Sequence, residues 1–264
     1  MRALFSASLL NAANLAVRFA TGLLTNKLIA ILLGPAGLAV YAQLQNLQAM
    51  LSGIAAAPGQ SGIVRLTAAA GDDGVLVQRA WSAALRAILA LCVLVVLAGV
   101  VMAAPAAERL LGQGGLVLPF LCFVLSIPAV SLSALLYSCA NGKGDIKGMT
   151  IAGIFSTVAS GLMGALGVWL HGLPGLIYGV ALGQLVLLLV SYVLLSRREW
   201  FSWQYFVAAT DMPALRQVMG LAGMTLVAVV CVPLSQLAVR HLMVGMSGWE
   251  ATGHWQAISK LGDL

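Results

Sequence analysis

An all-α polytopic membrane protein is the fold class this sequence predicts, on three observations. Hydrophobic residues make up 61% of the 264 residues, charged residues only 8%, and mean hydropathy is +1.00. Soluble domains carry about 25% charged residues. The apolar runs are long and continuous, which suits spanning helices rather than the alternating strands of a membrane barrel. The 29 glycines suit helix packing in lipid, where small residues let backbones approach.

Eight spans are expected, at roughly 5–33, 37–63, 81–104, 115–139, 148–170, 174–195, 217–244 and 250 to the end. Gly34-Pro35-Ala36-Gly37 is expected to turn the chain between the first two, and His171-Gly172-Leu173-Pro174-Gly175 between the fifth and sixth. Arg2 before an apolar run imitates a signal peptide. Asn11, Asn14 and Arg18 break the run, so an uncleaved first span is expected. Arg2, Arg65, Arg79, Lys143, Lys147, Arg197, Arg198 and Arg216 fall on one side of this topology, while Arg109 is alone among the clear loops of the other. The first side is expected to be cytoplasmic, with the N-terminus inside. The net charge of +6 then reports topology rather than nucleic-acid binding.

Residues 1–196 are expected to form one six-helix transporter lobe. Residues 197–216 carry Trp200, Phe201, Trp203, Tyr205 and Phe206, and are expected to lie as a cytoplasmic connector at headgroup level. Asp211 and Pro213 signal the next helix start, and 217–264 reads as the first two helices of a second lobe. The longest outward loop is expected around Glu108. The chain stops inside its eighth span, so it is expected to be the N-terminal portion of a longer protein.

The polar residues inside the spans carry the functional reading. Asn11, Asn14, Arg18, Thr21 and Thr25 fall within an arc of about 80° on the first helix. An arginine on such a stripe is expected to face a wet or charged cavity. Lys27 points elsewhere, either snorkelling to the interface or joining the transport path. Tyr41, Gln45, Gln48 and Ser52 share about 60° of the second helix, with Gln43 and Asn46 on another face. One set is expected to line a cavity and the other to hold helices together.

In the seventh span Thr225, Gln236 and Arg240 share a face, and Pro233 is expected to kink the helix. Arg240 is read either as an interfacial anchor or as a second anion contact. In the eighth span Lys260 and Asp263 stand three apart and are expected to pair, as a structural ion pair or as a gating or coupling site.

No Asp or Glu falls in the apolar core of the first seven spans, whereas cation antiport normally needs one. A buried arginine without carboxylates favours an anionic substrate. His171, His241 and His254 are scattered, no Walker loop is present, and Cys92, Cys122, Cys139 and Cys231 read as small apolar side chains. A transporter without cofactor or metal is expected, rather than an enzyme or a nucleic-acid binder.

Three passages carry a family resemblance: Gly22 to Leu28 leading into Leu33 to Leu38, then Asn141-Gly142-Lys143-Gly144-Asp145, then Trp249 to Ser259. Together they resemble Wzx-type lipid-linked oligosaccharide flippases, in the polysaccharide branch of the multidrug/oligosaccharidyl-lipid/polysaccharide exporter superfamily. The resemblance implies two six-helix lobes around a cavity with alternating access. It implies an undecaprenyl-diphosphate-linked glycan as substrate, moved from the cytoplasmic to the periplasmic leaflet of a bacterial inner membrane. A polysaccharide polymerase and a chain-length regulator are implied partners. Basic residues in the family's cavity put Arg18 and Lys27 forward as diphosphate contacts, and the amides of Asn14, Gln45 and Gln48 can bond sugar hydroxyls. The alternatives are a multidrug or cation antiporter of the same superfamily and a non-catalytic membrane component of envelope assembly.

Overall fold

Three glycines with positive φ divide the longest helices, each where the sequence leaves the helical pattern. The computed structural model describes residues 2–71, 73–111, 114–207 and 212–262. Among them the helices are α1 (Arg2–Ala56), α2 (Ser61–Ala70), α3 (Gly74–Val101), α4 (Ala103–Leu111), α5 (Val117–Gly142), α6 (Ile146–Leu195), α7 (Gln204–Val207) and α8 (Met212–Gly262). Gly34 at φ 70° breaks α1 into arms α1a (2–33) and α1b (35–56). His171 and Gly172, the latter at φ 61°, break α6 into α6a (146–170) and α6b (173–195). Gly248 at φ 80° breaks α8 into α8a (212–247) and α8b (249–262). A residue with a Cβ is strained in that region, which is why glycine holds each break.

Both expected turns are therefore present, and the eight expected spans appear as two single helices, α3 and α5, and three broken pairs. Five of the helices are long and apolar enough to cross a membrane, and the chain is a multi-pass membrane protein. Two boundaries differ from expectation. The second span ends at Ala56, because Pro58 diverts the backbone into a 3₁₀ turn (Ala57–Gly59) before α2 begins. The segment around Glu108, expected as a loop, is the short helix α4.

The helix starts at the basic end are capped by carboxylates. Asp73 accepts from the N–H groups of Val75 and Leu76 at 3.0 and 3.3 Å and opens α3. Asp145 accepts from Gly148 N–H at 2.8 Å and opens α6. Each satisfies donors that have no partner within the helix.

The largest buried side chains, Trp81, Ile88, Phe123, Ile127 and Leu135, sit where α3 and α5 meet α1b, α6 and α2. Trp81 donates its indole N–H to Thr67 Oγ1 at 2.8 Å. Trp200, Tyr205 and Phe206 pack around it at ring centroid separations of 5.9, 5.6 and 5.2 Å. The connector is folded against the helix ends. Asp145 fastens it, through Arg198 at 3.3 Å and the Trp200 indole N–H at 3.0 Å.

The two arms of α6 cross closely enough that glycine is required. A Cβ on Gly179 would stand 2.5 Å from the Met163 carbonyl, and one on Gly167 2.1 Å from the Gly175 carbonyl. Gly179→Leu should destabilise the bundle by about 1–3 kcal/mol through overpacking, read as a lower thermal midpoint of the detergent-solubilised chain. An unchanged midpoint would show that the arms part at little cost.

Candidate functional site

The first helix meets α6a through the stripe that contains its arginine. A Cβ on Gly153 would lie 3.3 Å from Asn14 Nδ2. One on Gly161 would lie 2.6 Å from Thr21 Cγ2 and 3.5 Å from Thr25 Oγ1. Thr25 is buried, and Asn14 and Thr21 are half-buried. The stripe expected to line a cavity is therefore largely a helix contact. Two glycines form notches into which short polar side chains fit. The side chain of Asn11 lies outside the described residues.

Arg18 lies at the edge of this contact. By helical geometry it stands about 40° from the centre of the contact face, and Lys27 about 140° from it. Both are exposed. The α1a–α6a contact holds Arg18 at the open flank of the bundle, and Lys27 stands on the back of the same helix.

The second polar stripe is divided. Gln48 Oε1 accepts from Gln184 Nε2 at 3.1 Å, and Gln184 Oε1 accepts from Ser126 Oγ at 3.0 Å. Ser52 Oγ donates to the Gln48 carbonyl at 2.6 Å. Gln184 is 3% exposed, so the chain from Ser126 through Gln184 to Gln48 is an internal tie between α5, α6b and α1b. The amide of Gln48, expected to meet sugar, is used inside the bundle. Gln45 is half-buried and pairs with Tyr41. Gln43 is buried, with its amide oxygen lacking a hydrogen-bond partner.

Arg240 is 5% exposed and donates from Nη1 to the Ala42 carbonyl at 2.8 Å. Its guanidinium lies 5.8 Å from the centre of the Trp255 ring, within cation–π range. It ties α1b, α8a and α8b together, which differs from both the anchor and the anion contact read from sequence. Gln236 is exposed and Thr225 half-buried, so burial separates the members of that shared face.

Pro233 stands within helical α8a, and the backbone leaves helical φ/ψ at Gly248. Pro233 lines a cavity of about 350 Å³ between α1b, α5 and α8a, together with Ser52, Gly53, Gln60, Val130 and Val229. The side chain of Lys260, and Asp263 altogether, lie outside the described residues, as do the side chains of Gln256 and Ser259.

The carboxylates of the described side chains lie outside the long apolar helices α1, α3, α5 and α6. Asp73 and Asp145 are caps, Glu108 is on α4 and Glu199 is in the connector. No Asp or Glu stands within α1, α3, α5 or α6. Sequence reasoning missed Gln184 and also Tyr137, whose hydroxyl lies 2.7 and 2.8 Å from the hydroxyls of Ser156 and Ser191. The signal was there: a lone amide or phenol in an apolar span needs a partner on another helix.

This architecture is shared with a solved membrane protein. The chain superposes on a solved structure described as the inward-facing conformation of a multidrug resistance MATE family transporter of the MOP superfamily. The TM-score is 0.73 at 12% identity, over 92% of this chain and 59% of that one. Among curated proteins it is similar to the lipid III flippases of Escherichia coli (strain K12) and Shigella flexneri, each 26% identical over 98% of this chain. The chain spans 62% of the length of these relatives. No family model matches the chain.

Replacing Arg240 by Leu should destabilise the packing of α8a on α1b by about 1–3 kcal/mol, the usual range for a hydrogen bond made by a charged group. Thermal unfolding measures this, and Arg240→Lys should recover part of it. Equal midpoints for the wild-type chain and the Leu variant would show that the tie is idle.

Proposed function

We propose that the chain takes part in flipping an undecaprenyl-diphosphate-linked oligosaccharide, of O-antigen or enterobacterial common antigen type, across a bacterial inner membrane. Movement runs from the cytoplasmic to the periplasmic leaflet by alternating access of two lobes, with no covalent step. The N-terminus and the basic end are cytoplasmic on this reading. Residues 1–196 act as the first lobe, 197–216 as the connector, and 217–264 as the opening of the second lobe.

The single observation that carries the reading is Arg18. It is held exposed at the edge of the α1a–α6a contact, in a bundle whose long apolar helices α1, α3, α5 and α6 carry no carboxylate. A diphosphate cannot cross hydrocarbon unaided. A guanidinium in a partly desolvated site offers it a bidentate, charge-assisted contact. Lys27 supplies a second positive charge toward the outer end of the same helix. The half-buried Gln45, paired with Tyr41, is proposed as a partner for sugar hydroxyls, while Gln48 holds α1b to α6b. Pro233 lies at the wall of the cavity between α1b and α8a, where relative movement of the lobes would be felt. Lys260 and Asp263 are proposed as a coupling pair on their spacing alone.

The names of the curated relatives support the lipid-linked glycan as substrate. The lack of carboxylates weighs against cation antiport, although the solved neighbour is a multidrug transporter. A polysaccharide polymerase and a chain-length regulator are the proposed protein partners.

Arg18→Ala should lower translocation of a lipid-linked oligosaccharide by about tenfold or more, as expected for loss of a charge-assisted contact. The assay is proteoliposomes, with arrival read by a membrane-impermeant glycosidase. Arg18→Lys should retain part of the rate. Unimpaired translocation by the Ala variant would remove Arg18 from the mechanism.

A further inference from the structure

A second apolar pocket lies away from the α1b–α8a interface. It has a volume of about 350 Å³ and opens between α3, α5 and α6b beneath the connector. Leu85, Leu132, Leu136, Leu188, Tyr192 and Phe206 are among its lining residues. At 1.5 Å per residue, Leu85, Leu132 and Leu188 stand about 10–17 Å from the basic ends of their helices. The pocket therefore reaches through about one leaflet of a 30 Å hydrocarbon core.

Its polar atoms are already matched. The Trp203 indole N–H donates to the Tyr192 hydroxyl at 2.9 Å, at the rim. Nothing within the pocket calls for a polar guest, which argues against a sugar or a diphosphate.

Arg86 is the independent observation. It follows Leu85 in sequence and is exposed on α3, at the head of an otherwise apolar exposed face with Leu89, Val93 and Leu97. It stands five residues, about 7.5 Å, deeper than Trp81. A side chain of its length snorkels back to the level of the connector rings. Arg86 keeps an interaction within the chain, and its five donors leave room for a phosphate as well.

From these we propose that the leucine pocket binds one acyl chain of an anionic glycerophospholipid of the surrounding bilayer, whose phosphate meets Arg86. The apolar lining takes the tail, the Tyr192–Trp203 pair sits at the glycerol level, and the surplus positive charge of this end favours an anionic headgroup. The bound lipid would brace the connector, because Phe201, Trp203 and Phe206 form the pocket's roof. The proposal does not depend on the transported substrate.

The test is native mass spectrometry of the chain released from nanodiscs of POPC mixed with POPG. One POPG retained per chain is expected. Leu188→Trp, which fills the pocket, should abolish retention. Arg86→Gln should lower it about fivefold in a chain whose thermal midpoint is checked alongside, and Arg86→Lys should keep it. Retention unchanged in both Leu188→Trp and Arg86→Gln would overturn the proposal. Displacement of POPG by added undecaprenyl phosphate would also overturn it, by giving the pocket to a polyprenyl lipid.

Discussion

The contact between α1a and α6a decides where the positive charge of the first helix points. Asn14, Thr21 and Thr25 fit over Gly153 and Gly161, and this fixes the rotation of α1a about its own axis. Arg18 follows from that rotation, because it lies only about 40° around the helix from Asn14. A rotation of one residue would carry the guanidinium by about 100°, either into the contact or out to lipid. Small residues are needed on α6a because lipid supplies no hydrophobic drive for helix association, so close packing must supply it.

Other ties hold the rest of the bundle together. The chain Ser126–Gln184–Gln48 ties three helices through amide and hydroxyl groups that would be costly to leave unpaired in lipid. Arg240 does the same between α1b and α8, through a backbone carbonyl and an aromatic face. At the basic end Asp145 joins a helix cap, an arginine and an indole, so the first six spans close on the connector. Among the polar groups inside the spans, Gln48, Gln184 and Arg240 are consumed in ties, whereas the charges of Arg18 and Lys27 on α1a are exposed.

Much of the fold was legible in the sequence. Long apolar runs punctuated by Gly34-Pro35 and Gly172-Leu173-Pro174 gave the spans, because glycine with positive φ followed by proline both ends one arm and starts the next. The break at Ala57–Gly59 and the helix around Glu108 were less visible, since hydropathy marks lipid exposure and not backbone direction. The site was legible only in part. Periodicity showed that Asn14, Arg18 and Thr25 share a side, but not that glycines on another helix would take up most of it. Gln48 and Arg240 were read as possible substrate contacts because their partners, Gln184 and the Ala42 carbonyl, stand 136 and 198 residues away. A single helix cannot reveal such pairings.

The most direct test of the central claim, that Arg18 presents positive charge to an anionic cargo, is chemical replacement of that charge. Arg18→Cys in a background lacking Cys92, Cys122, Cys139 and Cys231 would be treated with water-soluble methanethiosulfonates and assayed for lipid-linked oligosaccharide translocation. The account predicts that the aminoethyl reagent restores movement and the sulfonatoethyl reagent does not. Equal recovery with both reagents, or full movement before either is added, would contradict it.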